Sequence, residues 1–322
     1  MIAVPVALAL PPMSTRTRIE LGRRADLGAD CANCFGLCCV ALAFTKSADF
    51  PFDKPAGDPC TNLDEHDGCR IHPQLRHRGF KGCTVFDCFG AGQKVSQQTF
   101  AGRSWRDDTA TRKAMFSTFP LVRRLHELLW YLDEAITLVE RERERAREGE
   151  HAQATEHGRG RTATTPGPAP WLAAFEHVRH LTDGTPDELA ALDVDAEYDA
   201  ARSLLVQASE VARAAVPAPP RRSRGKGPTL EPGSDLMGAA LVGADLRGRT
   251  LRGGIAIAAD LRGADLDRCD VLGVDLRDAE LGGADLSGAI YLTQMQVNSA
   301  RGDAATRLPE GFARPTHWAG GR

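Results

Sequence analysis

Between Ser234 and Tyr291 the chain repeats every five residues. Cut at fives it reads SDLMG, AALVG, ADLRG, RTLRG, GIAIA, ADLRG, ADLDR, CDVLG, VDLRD, AELGG, ADLSG. The central residues are Leu236, Leu241, Leu246, Leu251, Ala256, Leu261, Leu266, Val271, Leu276, Leu281 and Leu286, and a small residue stands two places earlier in most units. A period of five is neither 3.6 nor 2, so neither one helix nor one strand accounts for it. A fixed short period predicts a solenoid, in which each unit buries its apolar residue only by stacking on the next. Two units depart: Arg249 takes a small-residue slot and Ala256 a central one, which predicts one irregular side or an insertion. Cys269 falls in a small inward slot and reads as a thiol that packs.

These units, A-D-L-x-x in their clearest form, resemble the pentapeptide-repeat family. The resemblance covers about 55 residues. It implies a short right-handed quadrilateral β-helix at the C-terminal end, four pentapeptides to a coil, with the central Leu and the small residue inward. Eleven units would then make nearly three coils, a rod of about 14 Å at the spacing of stacked strands. Some members of that family mimic DNA and bind topoisomerases, a role that asks for a long, strongly acidic rod. Residues 234–290 hold ten acidic residues against six arginines, which makes that role a remote alternative.

The second anomaly is cysteine. Of nine, eight lie between Cys31 and Cys88, spaced Cys31-x2-Cys34-x3-Cys38-Cys39-x20-Cys60-x8-Cys69-x13-Cys83-x4-Cys88. Residues 31–100 are rich in Gly, Pro and Asp and show little helical or strand periodicity, so they bury little by themselves and need staples. Disulfides are one reading, and a thiol redox pair at Cys31 and Cys34 is another. Metal ligation is the favoured one. Soft thiolates select zinc or iron–sulfur clusters, and C-x2-C lets one turn grip one tetrahedral ion. Adjacent Cys38 and Cys39 point apart, which predicts that they serve two sites of four cysteines each. His66, His72 and His77 are nearby, but eight cysteines suffice.

C-x2-C-x3-C-C followed by four more cysteines, with CTNLDEHDGCRIHPQLRHRGFKGC between, resembles the CxxCxxxCC family, a zinc- or iron-chelating domain. The resemblance covers roughly residues 28–100 and implies Cys31, Cys34, Cys38, Cys39, Cys60, Cys69, Cys83 and Cys88 as ligands. The long gap from Cys69 to Cys83, with His72-Pro73 inside it, leaves the grouping into sites and the choice of zinc or iron–sulfur open.

The rest of the chain is helical or linking. Leu121, Leu125, Leu128, Leu132, Ile136 and Val139 mark one apolar helix face, which runs out into ERERERAREGE. WLAAFEHVRHL (171–181) predicts a helix, Thr185-Pro186-Asp187-Glu188 carries a helix-start signature, and Tyr198 to Val216 is Ala- and Leu-rich. The expected architecture is multi-domain: flexible leader 1–27, cysteine-rich metal-stapled module 28–104, helical segment 105–150, linker 151–170, helical segment 171–216, linker 217–233, repeat 234–291, and cap and tail 292–322.

Residues 1–12 contain an apolar run with an Ala7-Leu8-Ala9 triplet, but no Lys or Arg precedes it. They read as an over-called start or a tail rather than a secretion signal. No apolar run approaches the length of a membrane helix. A formal net charge of −3 gives no reason to expect nucleic acid or anionic membrane as partner. No GxGxxG after a strand, P-loop, HExxH or nucleophile elbow is present. The expectation is a cytoplasmic, non-enzymatic metal-binding adaptor that meets a protein partner through its repeat faces. The alternative is an iron–sulfur enzyme or electron carrier. Oligomeric state is open.

Overall fold

The computed structural model describes residues 22–154, 166–216 and 228–320. Residues 1–12 and most of both expected linkers lie outside the described residues.

The cysteine head holds only short elements: a 3-10 turn at Gly22–Leu27, another at Cys31–Asn33, and helices α1 (Leu37–Val40), α2 (Lys81–Val85) and α3 (Ala91–Gln93). Helix α4 (Thr109–Ala154) is the backbone of the molecule. Its Leu125, Leu128, Leu132, Ile136 and Val139 are fully buried, as the spacing predicts. Helices α5 (Ala169–Leu181), α6 (Pro186–Ala190) and α7 (Val194–Ala214) pack along it through Trp171, Phe175, Leu189 and Leu205. The Thr185 hydroxyl and the Glu188 carboxylate cap α6 reciprocally. Among the described residues no helix is long and apolar enough to cross a membrane.

The β-helix expected for the repeat is corrected. Among the described residues there is no β-strand and no sheet. Parallel pairing is limited to isolated single-residue bridges, the first eight joining positions twenty apart: Asp235 to Ile255, Ala240 to Asp260, Asp245 to Asp265, Thr250 to Asp270, and on to Asp270 with Ile290. The physical reason lies in the pentad itself. Every unit but the last spends its residues on a turn whose last position has positive φ, Gly238, Gly243, Gly248 and Gly253 in the first four units. One residue per side is left to bridge, too few for a ladder. The core is nonetheless continuous. Every central residue from Leu236 to Leu286 is at most 3% exposed, Ala256 included. Cys269 is buried among them.

The coil is not free-standing. Arg252 Nη2 donates to the buried Asp270 Oδ2 at 2.6 Å, and Ser209 Oγ of α7 donates to the same oxygen at 2.7 Å. Arg252 also reaches Leu205 O, and Arg268 Nη1 reaches Ala212 O. Arg268 pairs with Glu142 of α4 at 2.8 Å. One side of the coil is thereby sealed onto the helical middle. At the far end, α8 (Gln294–Ser299), with a capping box from Thr293 to Gln296, closes the last turn, and Trp318 Nε1 donates to Ala300 O.

Candidate metal centre in the cysteine head

Gly36 sets the geometry of the head. It sits at φ +63, and a Cβ there would lie 2.7 Å from Leu63 Cδ1 and 3.1 Å from Asp67 O, so only glycine lets the chain reverse between Cys34 and Cys38. The Asp30 carboxylate accepts the Ala32 N–H and opens the turn that carries Cys31. Helix α1 then carries Cys38 and Cys39 side by side, with sulfurs 4.0 Å apart.

Cys39, Cys60, Cys69 and Cys83 share one neighbourhood. Cys60 forms a small buried cluster with Leu75 and Phe80, and Cys39, Cys69 and Cys83 pack against it beside Phe44, Phe50 and Phe52. The backbone locks this arrangement: Cys60 N–H donates to Cys39 O at 2.9 Å, and Leu63 bridges to Cys69. Phe44 stacks on Phe50 at 4.3 Å and walls the group off.

Cys31, Cys34 and Cys88 gather near Cys38, which also lies close to Cys39, Cys69 and Cys83, so its sulfur sits between the two sets rather than pointing away from Cys39. Cys34 Sγ donates to Cys31 O at 3.4 Å. The Cys34 side chain lies against Gly92, where a Cβ would come within 2.7 Å of Cys34 Cβ. Contact with Cys31, then burial, then the nearby Cys38 and Cys88 hold the Cys34 thiol well above its usual range. Contact with Cys39 and burial do the same for Cys38. Burial pushes Cys83 up to about 12, helped by Cys38, Cys60 and Cys69, and pushes Cys88 up to about 11. Crowded, buried thiols of this kind favour the protonated form until a cation shares their charge.

All nine cysteines are free thiols. His66 and His77 are exposed, and His72 is half-buried. Among the described residues no set of three or more His, Cys, Asp or Glu side chains stands in ion-holding geometry. The eight sulfurs of the head are therefore gathered in one segment but do not close into a coordination shell.

Sequence reasoning missed Lys54. It is 4% exposed, and its Nζ donates to Pro55 O at 2.9 Å and Val40 O at 3.3 Å. Burial lowers its pKa, against the pull of Cys60, Cys39 and Asp58. A lysine two places after Phe52 in a Phe-Pro-Phe run was a readable hint, because a cation among aromatics is seldom solvated on all sides. Also missed were Arg76, Lys81 and Asn298, which join the head to the far end of the repeat. Arg76 Nη2 donates to Asn298 O, and Lys81 Nζ pairs with Asp278, each at 3.0 Å. No local signal in the sequence links residues so far apart.

The outer acids of the repeat are largely neutralised at home. Asp245, Asp260 and Asp275 each pair with the arginine two residues on, Arg247, Arg262 and Arg277.

Comparison with known proteins fits this layout. The family model described as pentapeptide repeats matches residues 257–290 in eight copies. The uncharacterized protein YybG of Bacillus subtilis strain 168 is 44% identical over 306 residues, 95% of this chain and all of the relative. The chain belongs to the YybG family. An alignment of that extent means that head, helices and repeat are matched together in YybG rather than borrowed from separate proteins.

Proposed function

We propose that this YybG-family protein is a non-enzymatic, metal-binding scaffold. Cys31, Cys34, Cys38 and Cys88 hold one metal centre, and Cys39, Cys60, Cys69 and Cys83 hold a second. Zinc would make the head a rigid module, and iron–sulfur would add electron transfer. The repeat sides left uncovered by α4 and α7 meet a protein partner, as solenoid faces commonly do.

What supports this reading is the gathering of eight free thiols in one short segment, four of them, Cys39, Cys60, Cys69 and Cys83, around Leu75 and Phe80. Ligation adds folding energy to such a segment. The home pairing of the repeat's acids speaks against a DNA-like surface.

Metal analysis of protein purified without oxygen tests the proposal. About two zincs in a colourless protein is the expected result for a structural module. A brown protein absorbing near 400 nm moves the head to iron–sulfur chemistry. Absence of both metals, with no uptake of added zinc, defeats the reading.

A further inference from the structure

The segment between Cys69 and Cys83 does two jobs. Its ends belong to one group of four thiols. Its middle and the residue after it grip the cap of the repeat. Arg76 Nη2 donates to Asn298 O at 3.0 Å, and Asn298 Nδ2 donates to Thr84 O at 3.0 Å. Lys81 Nζ lies 3.0 Å from both carboxylate oxygens of Asp278, which also receives Arg301. Thr84 directly follows Cys83, so the residue that carries one sulfur and the carbonyl that accepts the cap's amide are adjacent in the chain.

Inside the cap, Asn298 is fixed from a second side. Gln294 Nε2 donates to its Oδ1 at 2.9 Å, and Gln294 also bonds Ala313 through both its amide atoms. Helix α8 sits where the coil's regular twenty-residue pairing lengthens, to Glu280 with Arg301 and Asp285 with Arg307. The cap is therefore the one irregular turn of the coil, and it is held in part by the head.

We propose that metal occupancy of the Cys39–Cys60–Cys69–Cys83 group is coupled to the order of the repeat's capped end. The inference rests on the metal reading above and adds a consequence to it. A metal joining Cys69 to Cys83 closes the loop between them and fixes Arg76, Lys81 and Thr84 in register with α8. Without it, the loop is held by Ile71, Leu75 and Phe80 and by the Gly82 N–H to Asp49 O bond, and the three groups meet the cap less often. Coupling of this kind is reciprocal: an ordered cap also favours the liganded loop.

Hydrogen exchange on the full chain, loaded with zinc and again after chelation, tests the coupling. The amides of Gln294–Ser299 are expected to exchange about tenfold faster without zinc, a hydrogen bond's worth of protection. The first coil, residues 235–250, makes no described contact with that loop and should not change. In a Lys81→Ala, Asn298→Ala chain, α8 should exchange fast with or without zinc, while zinc content stays the same. Zinc bound in full with α8 exchange unchanged on its removal overturns the coupling but leaves the metal reading intact. A chain that takes up no zinc overturns both, and metal analysis tells the two failures apart.

Discussion

Glu134 Oε1 accepts the backbone N–H of Tyr291 at 2.6 Å, binding the middle of the long helix to the last residue of the regular coil. The carboxylate is half-buried where three parts of the chain meet. Arg24, from the turn preceding the head, reaches it at 3.4 Å and lies 3.7 Å over the Trp130 ring. Asp133 beside it takes Arg23 and Arg24, and Asp270 faces it from the coil with Arg252. Tyr291 spans the same seam, its hydroxyl donating to Leu205 O of α7.

Burial raises the Glu134 carboxyl to about 7, against the pull of Arg24 and the Tyr291 amide. The native state therefore keeps a proton that the unfolded chain releases near its ordinary 4.5. Stability should fall as pH rises from about 4.5 to 7 and then level off, by up to roughly 3 kcal/mol. Urea midpoints measured across that window should show the fall in the native protein and a flatter curve in Glu134→Gln. Parallel curves would rule Glu134 out as the source.

Asp270 is 1% exposed and takes both Arg252 and Ser209. Asp270→Ala strips the counter-charge from a guanidinium already withdrawn from water, so about 3–5 kcal/mol of stability should go. Ser209→Ala removes one hydrogen bond and should cost about 1 kcal/mol. Chemical denaturation of both variants checks the ratio, and equal losses would contradict the ion pair's primacy.

The pentad makes neighbouring residues unequal. Leu266, 1% exposed, should cost about 2–5 kcal/mol when cut to alanine. Met237, 61% exposed and next to the buried Leu236, should cost less than about 0.5 kcal/mol. Thermal unfolding of Leu266→Ala and Met237→Ala separates them. Similar shifts in melting temperature would refute the five-residue register.

Lys54→Met should act with opposite sign in two states. In chelated protein, removing a buried ammonium should be neutral or stabilising by about 1 kcal/mol. In zinc-loaded protein, the same change removes the cation nearest Cys39 and Cys60 and should weaken zinc retention about tenfold at one of two sites, a single charge's worth of attraction at the effective dielectric of a protein. Competition with a chromophoric chelator reads this directly. Unaltered retention at both sites would exclude a role for Lys54 in holding the metal.

Much of this was legible in advance. The stripe from Leu125 to Val139 and the cap at Thr185 follow from local spacing, and the structure keeps both. The pentad's inward residues were equally readable, but the irregular side expected at Arg249 and Ala256 is not seen: Ala256 is buried, and Thr250 and Ile255 bridge twenty residues on like their neighbours. The extension of each side into strand was not, because the repeat fixes which residues face in but not how many remain between turns. Asp270 shows the other limit. Its position in CDVLG is that of the exposed Asp235 in SDLMG, yet it is buried because α7 lies on that side. Periodicity tells inside from outside within one element, and it carries nothing about which outside another element will cover. The eight cysteines stood out by count, while the place of Cys39, Cys60, Cys69 and Cys83 around Leu75 and Phe80 was not legible from their spacing.

Asn298 and Thr84 are held together across 214 residues of sequence. A ribosome making this chain delivers the head long before the residue that completes it. The tie between head and cap must therefore wait while the helices and the coil are synthesised. Contacts of such long range are also the slowest to form once the chain is free. The two ends of the molecule are thus joined by some of the last contacts the chain can make, whatever order each part reaches by itself.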